Sequence, residues 1–340
     1  MMRAVRSIDT ARPGDLSLPE LLEANEPVVL RGIASRWPLV AAGRAGPAAT
    51  IAYLKQFDGG CPIVGYTGDP AIGGRFFYRD DGSGLNFDAA RVGLSDYLDR
   101  IAAHLDDPEP PAFYIGSTDL DTYLPGLRRD NDLALPPPPP GHAAPLASIW
   151  IGNRTIAATH YDLSNNLAVC LVGRRRFTLF PPDQVANLYP GPLEPTPGGQ
   201  VVSMVDPRTP DVDRYPRFAD ALANAQVAEL EPGDVLFYPA LWWHNVEALG
   251  RFNVMINYWW NDAPAFADSP MTTLLHAMLS LRERPAAERA AWAAMFDHYI
   301  WSGGDDARDH LPPEMQGDLA PIDPTAARRL RAKLLQRLNR

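Results

Sequence analysis

The chain has 340 residues, 46% of them apolar, and a formal net charge of -10 at pH 7, enough for a large domain with a sizeable core. That charge argues against a general nucleic-acid surface, which needs a concentrated positive field. Cys61 and Cys170 are the only cysteines, so a disulfide framework is excluded and a reducing, cytoplasmic setting is expected. No apolar run approaches a membrane span, and the first residues lack the apolar stretch of a secretory leader.

In chain order, Ser17 and Glu20 have capping-box spacing, which predicts a short helix over Ser17–Ala24. EPVVLRG follows as a buried strand, Ala49–Phe57 as a second helix, and CPIVGY and RFFYRD as strands. Leu94–His104 has apolar residues at helical spacing, and PAFYIG reads as a strand. Pro136 to Pro140 favour an exposed polyproline spacer. From Ala147 to Trp260 the pattern is mostly β, with short strands and turn signals that suggest a sandwich or a barrel. It is interrupted by a Pro-, Gly- and Asp-rich insert from Tyr189 to Asp220, too long for a hairpin connection. Met271–Leu281, Ala286–Tyr299 and Thr325–Leu338 then carry helical periodicity, an all-helical extension.

The chemistry concentrates in the β region. His160 and Asp162 form His-x-Asp on a strand, where residues two apart share a face and can reach one ion. His244, in PGDVLFYPALWWHNV, supplies a second imidazole from a later strand. Two imidazoles and one carboxylate on one side of a metal leave the other positions open, which suits non-haem Fe(II) doing oxygen chemistry. A packed histidine with a structural ion pair is the bland alternative; a carboxylate beside an apolar run, with its nearest downstream basic groups at Arg174, weakens it. His104, His142, His276, His298 and His310 lie in helical or loop contexts and are read as background. An iron oxygenase needs an electron source such as 2-oxoglutarate, whose far carboxylate calls for a buried cation. Arg175 shares a strand face with Phe177 and Leu179 and fits that role, leaving Arg174 and Arg176 solvated.

THYDLSNNLAVCLVGRRRFTLFPPDQVANLYPG, EPGDVLFYPALWWHNVEAL and NVMINYWW together resemble the JmjC, or cupin-like, family of Fe(II)- and 2-oxoglutarate-dependent oxygenases. The nearest likeness is to its small hydroxylase branch, which includes the asparaginyl hydroxylase acting on hypoxia-inducible factor. EPVVLRGIASRWPLV resembles the opening strand of that family. The resemblance implies a mainly β fold, a double-stranded β-helix (jelly-roll) barrel with flanking N-terminal helices and a C-terminal helical extension. It implies an oxygenase domain over residues 1–262, with its catalytic motifs in 147–262, and an extension over 263–340. It makes His160, Asp162 and His244 the iron ligands and places Arg175 where the family commonly has lysine, on the distal carboxylate of 2-oxoglutarate. It assigns Tyr114 to that carboxylate, Asn166 and Asn257 to the lining of the cosubstrate and metal pocket, and Trp259 to a place beside the iron. Ala157 stands where the branch often has a cosubstrate-binding threonine; Thr155, about 6–7 Å away along the strand, is the substitute on the same face.

The resemblance further implies a 2-oxoglutarate-dependent dioxygenase that hydroxylates a C–H bond, with succinate and CO2 as co-products. Fold analogy favours a protein or peptide side chain over a small molecule. Trp242, Trp243, Trp260 and Tyr189 are candidates for the mouth of the site, beneath the insert. The helical tail resembles the dimerisation region of the branch, and Leu274, Leu275, Met278 and Leu281 offer an apolar face for a homodimer. Two other classes compete: a non-catalytic cupin-like binding module, and a cupin metalloenzyme that does not use 2-oxoglutarate.

Overall fold

The computed structural model of the protein describes residues 2–9, 17–302 and 307–339. Its strands are β1 (Arg3–Ala4), β2 (Arg6–Asp9), β3 (Val28–Arg31), β4 (Ile63–Gly68), β5 (Arg75–Phe76), β6 (Phe87–Val92), β7 (Ala112–Asp119), β8 (Leu146–Gly152), β9 (Ile156–Tyr161), β10 (Asn165–Val172), β11 (Arg175–Phe180), β12 (Gln226–Leu230), β13 (Val235–Tyr238), β14 (Trp243–Ala248) and β15 (Asn253–Trp260). The helices are α1 (Leu18–Ala24), α2 (Pro38–Ala45), α3 (Pro47–Lys55), α4 (Leu94–Ala103), α5 (Leu120–Tyr123), α6 (Phe218–Asn224), α7 (Pro270–Leu281), α8 (Ala286–Phe296), α9 (Pro313–Gln316) and α10 (Pro324–Leu338). Two compact units result: Met1–Pro138 with Ala144–Asn261, and Pro139–Ala143 with Asp262–Arg340.

The first unit holds a six-stranded sheet, ordered β1-β12-β11-β14-β9-β5, and a nine-stranded one, ordered β2-β3-β13-β10-β15-β8-β7-β4-β6. This corrects the expected double-stranded β-helix barrel. Both orders are linear and keep two edges, and neither sheet closes into a barrel. Short antiparallel strands with turn signals are common to barrels and sandwiches, so the pattern alone does not separate them.

Alternation along the strands shows how the layers pack. In β10, Leu167, Val169 and Leu171 join a core cluster with α2, α3 and α4, whereas Ala168 and Cys170 join a cluster with Phe177, Leu179 and Val246 of the other sheet. Every residue of β10 is buried, as a strand covered on both faces requires. β13 and β15 divide in the same way: Val235, Phe237, Ile256 and Tyr258 face the helices, and Leu236, Tyr238 and Met255 face the opposite sheet. On α4, Leu94, Tyr97, Leu98 and Ile101 are all buried, an apolar stripe at helical spacing.

Local signals explain the ends of several elements. α1 begins after Ser17, but the Ser17 side chain makes no cap bond: Pro19, the second helical residue, has no N–H to donate, and the Glu20 N–H is not used. The Pro-Gly-Asp turn before β13 is held by Asp234, which accepts from Gly32 N and Glu231 N and pairs with Arg31. Gly233 there has φ +106°, and a Cβ would lie 2.7 Å from Ser35 Cα. Of RFFYRD only Arg75–Phe76 is strand.

The insert is ordered around its own cluster, in which Leu188, Val201, Val205 and Phe218 pack with Phe180 and Trp243. In the second unit, α7, α8, α9 and α10 contain no buried residue. No helix among the described residues is long and apolar enough to cross a membrane.

Candidate metal centre

His160 and His244 come from adjacent antiparallel strands, directly paired across β9 and β14. Asp162 follows β9, and one ring nitrogen of each histidine and a carboxylate oxygen of Asp162 lie within 4.8 Å of one another. The pairing is irregular here: Ala157 opposes Val246, three residues from His160 where β14 has two. The extra residue is a bulge, and it brings Ala157 and His160 to the same cavity despite their odd spacing. Asn245 Nδ2 donates to Ala157 O across it at 3.1 Å.

Backbone carbonyls orient both rings. His160 Nδ1 lies 2.8 Å from Ala158 O, and His244 Nδ1 lies 2.9 Å from Trp242 O. A carbonyl only accepts, so each Nδ1 carries the proton and each Nε2 presents its lone pair to the shared centre. Burial, together with the neighbouring His160 ring, pushes the His244 imidazole down to about 4, which keeps it neutral and able to ligate. Its 3.6 Å approach to Asp162 Oδ2 is therefore not an ion pair but two donors facing one point.

Asn166 Nδ2 donates to Asp162 Oδ2 at 2.8 Å, and Asn257 Nδ2 donates to Asn166 Oδ1 at 2.5 Å, a chain that fixes the carboxylate. Neutral imidazoles and an oriented carboxylate fit a divalent metal, and the His2Asp set is that of non-haem Fe(II) centres.

Behind the centre lies a cavity of about 280 Å³, lined among others by Tyr114, Phe177, Tyr238, Asn257 and Trp259. Arg175 is buried with Phe177 and Leu179, whereas Arg174 and Arg176 pair with Glu229 on the outer face. Among the described residues no carboxylate pairs with Arg175, and its Nε has no hydrogen-bond partner. Burial lowers its pKa and the Tyr114 phenol counters that; a guanidinium nevertheless stays charged in a protein. Burial pushes the Tyr114 hydroxyl up to about 12, so it remains a donor. A buried cation without an acid can pair with an anionic ligand.

The other expected residues divide. Tyr114, Asn257 and Trp259 line the cavity, and Asn166 reaches it through Asp162. Thr155 is buried outside it, its carbonyl accepting from Ala248 N. Trp243 and Tyr189 belong to the cluster of the insert, and Trp242 and Trp260 to the two main cores, so these four do not form a mouth. Trp243 is next to His244 on a strand, and alternation sends it to the opposite face.

Sequence reasoning missed Tyr238, Trp150, Ser117 and Gln200, all of which line the cavity. The Tyr238 hydroxyl sits 3.5 Å from His244 Nε2, with the ring 4.6 Å from that imidazole. Counting by twos from Leu236 in VLFYP gives its direction. Gln200 comes from the insert, tied to the ligand strand by a bridge between His160 and Val202, and no local signal marks it.

The chain is 35% identical over 156 residues to HSPB1-associated protein 1 of Homo sapiens, a stretch covering 44% of this chain and 31% of that protein. It is 37% identical over 107 residues to tRNA wybutosine-synthesizing protein 5 of Danio rerio, covering 32% and 30%. The Gallus gallus protein of the same name is 38% identical over 107 residues, with the same coverage. These matches span about a third of the length of each relative. Residues 15–266, which include all three metal-facing donors, match the family described as a cupin-like domain, and the chain belongs to that family.

Proposed function

We propose that this protein is an Fe(II)- and 2-oxoglutarate-dependent oxygenase that hydroxylates a C–H bond in a protein or peptide side chain. The observation that carries the reading is the coincidence of the His160–Asp162–His244 donors with a buried, acid-free Arg175. Bound iron with 2-oxoglutarate would supply the oxidising chemistry: one atom of dioxygen enters the substrate C–H bond, the other enters succinate, and carbon dioxide leaves. The chain's own residues do the rest. His160, Asp162 and His244 hold one face of the metal, and Asn166 keeps the carboxylate turned inward. Tyr114, on the cavity wall, and Arg175, buried near enough for its charge to act on the Tyr114 phenol, anchor the cosubstrate. Asn257 and Trp259 line its room, and Phe177 and Val246 exclude water from one wall.

The domain follows as 1–262, with 263–340 as a helical extension through which two copies associate. Leu279 and Trp301 there are 79% and 71% exposed, an apolar surface more suited to a partner than to water. A place in the small hydroxylase branch and a cytoplasmic setting complete the reading; both cysteines are free. A polypeptide substrate is favoured over nucleic acid by the net charge of -10. A wide cleft of about 980 Å³ elsewhere on the first unit, lined by Arg75, Arg214, Asp80 and Asp211, offers an extended chain both signs of charge.

Anaerobic absorption tests the reading. Wild-type protein with Fe(II) should gain a visible charge-transfer band on adding 2-oxoglutarate, and Asp162→Ala should lose it. Arg175→Ala should need at least about 30-fold more 2-oxoglutarate, the effect of leaving a buried charge unpaired. Iron bound without the band would instead mean a metalloenzyme that does not use this cosubstrate.

A further inference from the structure

A second cavity opens from the same histidine. It holds about 120 Å³ and shares Tyr114, Ser117, Trp150, Ala157, His160, Gly198 and Gln200 with the first. Its own walls are Tyr66, Phe76, Phe87, Gly116, Ala158, Pro197 and Val202. No Asp, Glu, Lys or Arg lines it.

The aromatic rings of the wall form a continuous series from five strands. Tyr66 meets Phe87 at 5.6 Å, Phe87 meets Phe76 at 5.1 Å, Phe76 meets Tyr114 at 5.6 Å, and Tyr114 meets Trp150 at 5.7 Å. Trp150 then meets Trp259, also at 5.7 Å, beside the metal-facing donors. Tyr66 and Tyr114 are directly opposite each other in the β4–β7 ladder. A backbone irregularity accompanies the junction: β7 shifts register between Ile115 and Thr118, and Ser117, with φ +42°, lines both cavities. A non-glycine residue in that conformation is uncommon, and such residues gather at ligand sites.

Resting on the proposed oxygenase reading, we propose that this branch is the specificity pocket for the substrate, and that it takes an uncharged apolar side chain, aliphatic or aromatic, of a polypeptide. Three features carry the assignment. The lining is apolar and aromatic, so an entering ammonium, guanidinium or carboxylate would lose its water without a counter-charge. The volume suits one side chain of leucine or phenylalanine size. The branch joins the first cavity at His160, so a group seated in it presents its neighbouring C–H bonds to the metal-facing side. The ring faces offer offset or edge contacts to a planar guest. Gln200, at the junction, is the side-chain amide available to the backbone or edge of the guest.

The test is binding of capped amino acids to the full-length chain without added metal or cosubstrate, read by saturation-transfer NMR. N-acetyl-phenylalaninamide and N-acetyl-leucinamide should bind at least about tenfold more tightly than the aspartate and lysine amides, since burying an uncompensated charge is costly. Guanosine should bind more weakly than the phenylalanine probe. Phe87→Ala, which removes one wall, and Ala158→Leu, which fills the space, should each weaken the favoured probes about fivefold or more. Asp162→Ala should leave probe binding unchanged, which separates this proposal from the metal reading. Equal or tighter binding of the charged probes, preference for guanosine, or wild-type binding in Phe87→Ala would overturn the assignment, even with the iron and 2-oxoglutarate band intact. Phe87→Ala keeps the test decisive should Ala158→Leu fail to fold.

Discussion

The two compact units solve the same problem of hiding apolar residues in opposite ways. In the first unit β10 is buried along its whole length, and its two faces serve two cores. In the second unit no residue of α7, α8, α9 or α10 is buried, although leucines and methionines recur along them and α8 carries Trp292. Preorganisation accordingly resides in the first unit, where each metal-facing group is held by packing and a second hydrogen bond. The helices of the second unit carry an apolar surface that their own packing does not cover.

The sharpest way to break this contrast is Phe177→Ala. The side chain is fully buried between the sheets, and its loss should cost about 3–5 kcal/mol, read from urea denaturation. A cost under about 1 kcal/mol would mean that the inter-sheet core is far looser than the structure indicates.

Next comes Asn166→Ala, which leaves all three donors in place but frees Asp162 Oδ2. Removing such a supporting bond should weaken metal binding about 10–100-fold by anaerobic titration while the fold persists. Unchanged affinity would show that the carboxylate needs no support.

A smaller effect concerns Cys170, whose thiol burial pushes up to about 12. The unfolded chain releases this proton near the ordinary value of 9.0 while the folded chain retains it. Stability should therefore fall as pH rises above 9, by at most about 1.4 kcal/mol per pH unit. A thiol reagent at pH 8 should meanwhile modify the exposed Cys61 alone, and both cysteines after denaturation.

The smallest expected change is Leu279→Ala on α7, within about 0.5 kcal/mol for an exposed position. Leu279→Asp sharpens the comparison, since light scattering should then show a dimer reverting to single chains. A wild-type mass of one chain at all concentrations would instead leave the apolar face without a second copy.

Sequence pattern carried much of this, and its failures are physical. His160, Asp162 and His244 were legible because two-residue alternation on a strand is a rigid rule, and Arg175 was placed inside by the same rule. The rule also sends Trp243 outside, but the run of aromatics around it suggested a mouth instead. The bulge in β9 carries no compositional mark, so no count along that strand predicts that Ala157 and His160 share a cavity. The closed barrel was a matter of edges, and whether terminal strands meet depends on twist and length rather than on any motif. β6 went unread because its exposed, charged sequence, FDAARV, shows no alternation at an edge. Gln200 was invisible for a different reason: the insert reaches the centre only through a tertiary bridge.

The bulge has an effect on how this protein can change. Ala157 borders both cavities, whereas its immediate neighbour Ala158 borders only the aromatic branch. One short stretch of backbone is thus a partition with separately adjustable sides. Adding a methyl or two at Ala158 reshapes the aromatic branch and leaves the lining of the first cavity unchanged; the same change at Ala157 narrows both. Divergence within a lineage, or deliberate redesign, can reshape one cavity by altering a single small side chain, without touching the His160, Asp162 and His244 donors.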